Sequence, residues 1–150
     1  MGVLKGMATH CTDSVNYQKF RPHGRVELSV IDNKIVTFKA LGPFNVELVA
    51  TLREIESEVL KELNKNWVEV VIFEHSCLAP KEVFIEFTSH LKAQKASGIT
   101  PLASAYVFSK EVDGLLLMTN EYKKCFDDAG LLYKQFDSES EALSWVKTFV

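Results

Sequence analysis

The segment that most constrains the fold is residues 67–73, Trp-Val-Glu-Val-Val-Ile-Phe, in which Glu69 is the only polar residue. An apolar, β-branched run of this length is typical of a strand that is covered on both faces at the centre of a sheet. A loop, residues 74–80, follows it, and the pattern predicts a helix that begins near Pro80. In such an arrangement ligands or partners bind at the C-terminal end of the strand.

The composition is typical of a single globular domain. Of the 150 residues, 47% are hydrophobic and 25% are charged. A chain of this length can form a stable hydrophobic core without disulfide bonds or a structural metal. The net charge is -3, with Lys and Arg interspersed among Asp and Glu, so we expect no nucleic-acid partner. No apolar run approaches the roughly 18 residues that span a bilayer, and residues 1–14 are too polar for a signal-peptide core. We therefore expect a cytoplasmic protein that is not integral to a membrane.

The cysteines and histidines predict neither disulfides nor a metal centre. Cys11, Cys77 and Cys125 are far apart and lack Cys-x-x-Cys spacing, which fits a reducing compartment. The histidines likewise lack metal-ligand spacing. We interpret His90 as a polar helix position, and His10 and His23 as exposed. No cofactor is predicted.

Hydrophobic periodicity predicts the element order β-β-α-β-α-β-α-β-α. The predicted strands are residues 25–31, 34–40, 67–73, 103–108 and 131–136; the predicted helices are 44–63, 80–97, 111–129 and a terminal helix after 138. Asp32-Asn33 favours a two-residue hairpin turn, Pro43 fits the first turn of the first helix, and Ser138 begins a capping box. Asp113-Gly114 leaves the start of the third helix open.

The predicted fold class is therefore α/β. It is a single-domain mixed sheet of about five strands, an N-terminal hairpin followed by αβ units, flanked by about four helices. The domain covers residues 24–150. Residues 1–23 are predicted to be a loose N-terminal arm, with a short extended piece near residues 15–20.

Several short motifs carry a family resemblance. Gly42-Pro43-Phe44-Asn45 at the first helix, Trp67 opening the central strand, Gly98-Ile99, and a tail from Phe136 to Trp145 resemble the SpoIIAA-like group of bacterial proteins. That group is related in fold to STAS domains and, more distantly, to the lipid-binding Sec14 (CRAL-TRIO) fold. The resemblance covers residues 24–150 and includes no catalytic signature. It implies a non-catalytic regulatory or protein-interaction module, and the Sec14 likeness implies a binder of a small apolar molecule such as a lipid.

The sequence departs from STAS anti-sigma-factor antagonists at the phospho-acceptor. Those proteins carry Asp-Ser-Ser or Asp-Ser-Thr where the helix after the central strand begins, whereas residues 78–82 here are Leu-Ala-Pro-Lys-Glu. Ser76, in the preceding loop, is the nearest substitute. Glu74 and Glu82 would repel a phosphate there, so we predict that Ser76 is not phosphorylated.

The loop after the central strand is the candidate ligand or partner site: Glu74, His75, Ser76 and Cys77. A reactive thiolate needs a nearby base or helix N-terminus. However, residues i and i+2 of an extended chain point to opposite sides, which separates His75 from Cys77. We therefore predict that Cys77 is a packing residue and assign no catalytic residue, and an enzyme using Glu74, His75 or Cys77 ranks last among the functions considered.

The third predicted helix carries the candidate interface, Leu115, Leu116, Leu117 and Met118. Four consecutive apolar residues on a helix cannot all face one core, so one or two must meet a partner subunit, a ligand or another helix. A homodimer through this surface is one alternative. The helix aromatics are predicted to be core: Phe84, Phe87, Tyr122, Phe126, Trp145 and Phe149. The alternative is that some of them line an apolar pocket between sheet and helices.

Overall fold

The computed structural model describes residues 8–14 and 21–150, and these ranges form one six-stranded sheet with four α-helices. The strands are β1 (Ala8–Cys11), β2 (Arg25–Ile31), β3 (Ile35–Leu41), β4 (Val68–Glu74), β5 (Ser104–Phe108) and β6 (Tyr133–Phe136). The helices are α1 (Val46–Val59), α2 (Lys81–Ala96), α3 (Leu115–Ala129) and α4 (Glu139–Lys147). Short 3-10 turns cover Thr12–Ser14 and Leu60–Glu62.

The strands lie in the sheet in the order in which they occur in the chain. The pairs β1–β2 and β2–β3 are antiparallel, and β3–β4, β4–β5 and β5–β6 are parallel. This confirms the predicted α/β class, with a hairpin followed by αβ units and β4 near the centre. Asp32 and Asn33 have φ values of 53° and 57° in the hairpin turn, as their sequence indicated.

Residues 8–14 were predicted to belong to a loose arm, but this prediction is wrong because they form a strand and a 3-10 turn. Here β1 pairs with β2 along its whole length, from Ala8 opposite Val30 to Cys11 opposite Glu27. The hydroxyl oxygen of Thr12 then accepts a hydrogen bond from the Val26 N–H at 3.0 Å. The sheet therefore has one strand more than predicted. The extended piece predicted near residues 15–20 lies outside the described residues.

The two faces of the sheet are covered by different helices. Successive parallel strands are joined by crossovers that advance in one direction, and right-handed crossovers then place α1, α2 and α3 on the same face. On β4, Val71 and Phe73 belong to the core under these three helices, whereas Val68 and Val70 pack with α4 on the opposite face. This alternation explains why β4 is apolar along its length: both of its faces are buried.

Two of the helices, α1 and α3, begin later in the chain than the sequence predicts. Asn45 caps α1 by accepting a hydrogen bond from the Leu48 N–H, so Pro43 precedes the helix instead of lying in its first turn. The predicted third helix begins four residues later than residue 111, because Gly114 has a φ of 85° and α3 starts at Leu115. At the C-terminus, Phe149 was predicted to be a core residue but is 37% exposed and packs on the Trp145 ring.

None of the helices in the described parts of the chain combines the length and apolar character needed to cross a membrane.

Candidate functional site

A cavity of about 80 Å³ lies between helices α1 and α2 and the sheet. Its lining is mainly aliphatic and aromatic; representative lining residues are Ala40, Val49, Leu52, Val71, Val83 and Phe87. The volume is roughly half that of an engineered cavity of about 150 Å³ that binds benzene. The cavity is partly open, so it suits a slender alkyl chain that it encloses over part of its length.

The polar end of this cavity is built from α1 and α2. The Glu56 Oε2 atom accepts hydrogen bonds from His90 Nε2 at 3.0 Å and from Gln94 Nε2 at 2.7 Å. His90 and Gln94 are four residues apart on α2 and so lie on one helix face. The Glu56 and His90 side chains are only 13% and 7% exposed. This pairing holds a carboxylate at the cavity wall in an almost dry environment.

Glu69 adds a second carboxyl group to the lining. It lies on the same face of β4 as Val71 and Phe73, is 8% exposed, and accepts a hydrogen bond from the Ser104 hydroxyl at 2.7 Å. Burial, and secondly the nearby charge of Glu56, raise the pKa of Glu69 to about 8, although the Ser104 hydrogen bond acts in the opposite direction. At neutral pH Glu69 is therefore mainly an uncharged carboxylic acid.

An aromatic cluster contributes Phe73 and Tyr122 to the lining of the cavity. The Phe73 ring stacks on Phe108 with centroids 4.6 Å apart, and Tyr122 packs against both Phe73 and Phe84 at 4.9 Å. The Tyr122 hydroxyl donates to the Cys77 carbonyl at 2.9 Å, and burial raises the pKa of Tyr122 well above its ordinary value. The prediction that the helix aromatics are core residues is confirmed for Phe84, Tyr122 and Phe126, whereas Phe87 and Trp145 are partly buried.

The loop singled out from the sequence is not part of the cavity wall. Glu74 and His75 are exposed, Ser76 and Cys77 are buried, and none of the four lines the cavity. The Ser76 hydroxyl oxygen accepts a hydrogen bond from the Leu78 N–H at 3.1 Å. Burial raises the pKa of the Cys77 thiol to about 11, which disfavours a thiolate nucleophile. The structure thus gives the two buried residues a packing and hydrogen-bonding role, and the loop as a ligand or partner site stays a prediction.

Three residues of the polar end escaped the sequence analysis: Glu56, His90 and Gln94. His90 was interpreted as a polar helix position, but it is buried against Glu56. The signal that the sequence did hold was Glu69, the one polar residue in an apolar strand. A lone carboxyl group in a buried strand requires polar partners, and here Ser104 is such a partner.

The candidate interface divides between the core and solvent. Leu116 and Leu117 are 96% and 70% exposed, whereas Leu115 and Met118 are partly buried and pack against the core. Two of the four residues, Leu116 and Leu117, therefore do not face the core. What covers the exposed pair stays a prediction.

Among the described residues, no three His, Cys, Asp or Glu side chains are grouped so that they would hold a metal ion. Comparison of the chain with protein-family models, with curated proteins and with solved structures finds no match in any of the three. The SpoIIAA-like resemblance therefore stays a prediction from the sequence motifs.

Proposed function

We propose that this chain is a non-catalytic module that binds a small, mainly apolar molecule in the cavity between α1, α2 and the sheet. The observation that supports the proposal is the cavity itself, which has apolar walls and one polar end. Small-molecule sites are commonly concave and apolar, with a few placed polar groups that fix the orientation of the ligand. The raised pKa of Cys77, which is not a lining residue of the cavity, favours binding over thiol chemistry.

Thermal unfolding with n-hexanol as the probe tests this proposal. A ligand that binds only the folded state at about ten times its Kd stabilises by roughly 1.4 kcal/mol. That corresponds to a rise of about 3 to 6 °C in Tm for a chain of this size. We expect this rise in the wild-type protein, with saturation as the probe concentration increases.

The matched variant is Ala40→Leu, because Ala40 is 4% exposed and lines the cavity. Its added carbon atoms occupy the space that the probe would fill, so we expect near wild-type stability and no probe-dependent rise in Tm. The same change at Ala105, which is buried in the core beneath α4, meets close packing and should cost about 1 to 3 kcal/mol. An equal rise in Tm for the wild type and Ala40→Leu would contradict binding in this cavity.

A second candidate function is protein interaction through α3, which the exposure of Leu116 and Leu117 favours. A second copy of the chain is the simplest occupant of this surface. We expect Leu117→Glu to shift the mass measured by light scattering from dimer to monomer without loss of fold. Leu132→Glu, at a separate residue that is 49% exposed, is the control. A wild-type protein that is already monomeric, or a mass unchanged by Leu117→Glu, would contradict self-association through α3.

A further inference from the structure

We infer that the molecule bound in this cavity is an alkyl amine, with its carbon chain against the apolar walls and its ammonium group at the polar end formed by Glu56, Glu69, His90 and Gln94. This inference rests on the proposed function and names the ligand class of the same site. Its basis is the charge and hydrogen-bonding capacity of the lining side chains.

The lining holds two carboxyl groups, Glu56 and Glu69, and one side chain that can carry positive charge, His90, which is already paired with Glu56. Glu56 and Glu69 both line the cavity, and no Lys or Arg belongs to the lining among the described residues. The side-chain donors His90 and Gln94 are already directed at the Glu56 Oε2 atom. A ligand head that donates hydrogen bonds or carries positive charge therefore complements this end of the cavity.

An anionic head fits the same end poorly. A carboxylate or phosphate beside Glu56 would place two like charges in a nearly dry site without a free cation to pair with them. Burial of an unpaired charge is strongly unfavourable. A fatty acid is for this reason a worse ligand than an amine with the same chain, and a neutral alcohol should lie between the two.

Binding of an ammonium group should also release a proton from the protein, and this release can be measured. The groups around Glu69 are Glu56 from α1, His90 and Gln94 from α2, and Ser104 and Tyr106 from β5. Burial raises the pKa of Tyr106 well above its ordinary value, so this hydroxyl keeps its proton. A cation beside Glu69 favours the ionised form of its carboxyl group. The ammonium enters with its own proton, and Glu69 releases its proton to solvent.

The experiment is isothermal titration calorimetry at about pH 7 with n-hexylamine, n-hexanol and hexanoate, each in phosphate and in MOPS buffer. Charge-assisted hydrogen bonds exceed neutral ones by enough for roughly tenfold in affinity. Ionising Glu69 at pH 7 offsets part of this gain, so we expect n-hexylamine to bind more tightly than n-hexanol by less than about tenfold, and hexanoate to be the weakest. The difference in heat between the buffers should show that nearly one proton is released per amine, and none per alcohol.

Glu69→Gln is the diagnostic variant, because a neutral amide keeps the shape and removes the titrating proton. We expect it to abolish proton release and to bring the affinity for n-hexylamine within about twofold of that for n-hexanol, since the charge assistance from Glu69 is gone. Glu82→Gln, an exposed change on α2, should leave both affinities and the proton release unchanged.

The outcomes separate the two proposals. If neither n-hexanol nor n-hexylamine binds, the proposed function is wrong. If hexanoate binds as tightly as n-hexylamine, or if amine binding releases no proton, the cavity still binds small molecules but the amine inference is wrong.

Discussion

Replacing Glu69 by glutamine should stabilise the protein at neutral pH, by an amount that grows as the pH rises. The pKa of Glu69 is about 8 in the folded chain, against an ordinary value of 4.5. Between these two values the folded state keeps a proton that the unfolded state has lost. The free energy of unfolding of the wild type therefore falls with rising pH over this window. Below about pH 4.5 both states are protonated, and above about pH 8 the loss is complete.

The size of the stability difference depends on how many pH units separate the unfolded and folded pKa values of Glu69. Each pH unit within it lowers the wild-type stability by about 1.4 kcal/mol, and glutamine has no such dependence. Between about pH 5 and about pH 7 the advantage of Glu69→Gln should therefore grow by about 3 kcal/mol. This is a large fraction of the roughly 5 to 15 kcal/mol that stabilises a typical domain.

Urea unfolding of both proteins at several pH values provides the assay, with the free energy of unfolding extrapolated to zero denaturant. Glu56 and His90 are present in both proteins, so their own contributions are common to the two curves. Glu74→Gln, an exposed change at the end of the same strand, should follow the wild-type curve. Parallel stability curves for Glu69→Gln and the wild type from about pH 5 to about pH 7 would refute a neutral, buried Glu69.

Three further predictions concern residues outside the cavity lining. Asn45→Ala should lower the free energy of unfolding by about 1 to 2 kcal/mol in urea unfolding, because its side chain accepts from both Leu48 N–H and His23 N–H; a change under a few tenths would contradict this role. Gly114→Ala should cost about 1 to 3 kcal/mol by the same assay, since φ is 85° and the added carbon would lie 2.6 Å from the Leu78 side chain; an unchanged midpoint would contradict it. Native Cys77 should resist iodoacetamide at neutral pH and react after denaturation, as followed by peptide mass spectrometry; fast native labelling would restore the thiol-enzyme hypothesis.

The main architecture could be predicted because its signals are local. The continuous apolar pattern of residues 67–73 indicates a strand with two buried faces, and the order of elements then limits the topology. β1 was missed because Ala8–Cys11 has four residues, too few to show a reliable alternation. It is held in place by pairing with β2, which lies more than ten residues away along the chain.

The polar end of the cavity was not predictable, because it depends on how α1 packs beside α2. Glu56 lies 34 residues from His90 in the chain, yet their side chains are 3.0 Å apart. Nothing local distinguishes Glu56 from the solvated carboxylates elsewhere on α1. Glu69 alone gave a local signal, since it interrupts an apolar strand.

Residues 74–77 were predicted to be a ligand or partner site because they follow the C-terminal end of the central strand. That rule takes no account of neighbouring loops. Here the segment before α3 pairs with it: the Asp113 N–H donates to the His75 carbonyl, and the Cys77 N–H donates to the Asp113 carbonyl, each at 2.9 Å. These bonds occupy backbone groups of the loop, whereas the cavity lies under α1 and α2.

Methyl NMR of the full chain titrated with n-hexylamine is the most direct test that the cavity is a binding site. We expect shifts concentrated on cavity methyl groups, those of Val49, Leu52, Val83 and Leu91, with much smaller changes at Val146 on the opposite face. The Ala40→Leu variant should show no such shifts. Unchanged methyl signals at saturating probe concentration, or shifts centred on α4, would contradict it.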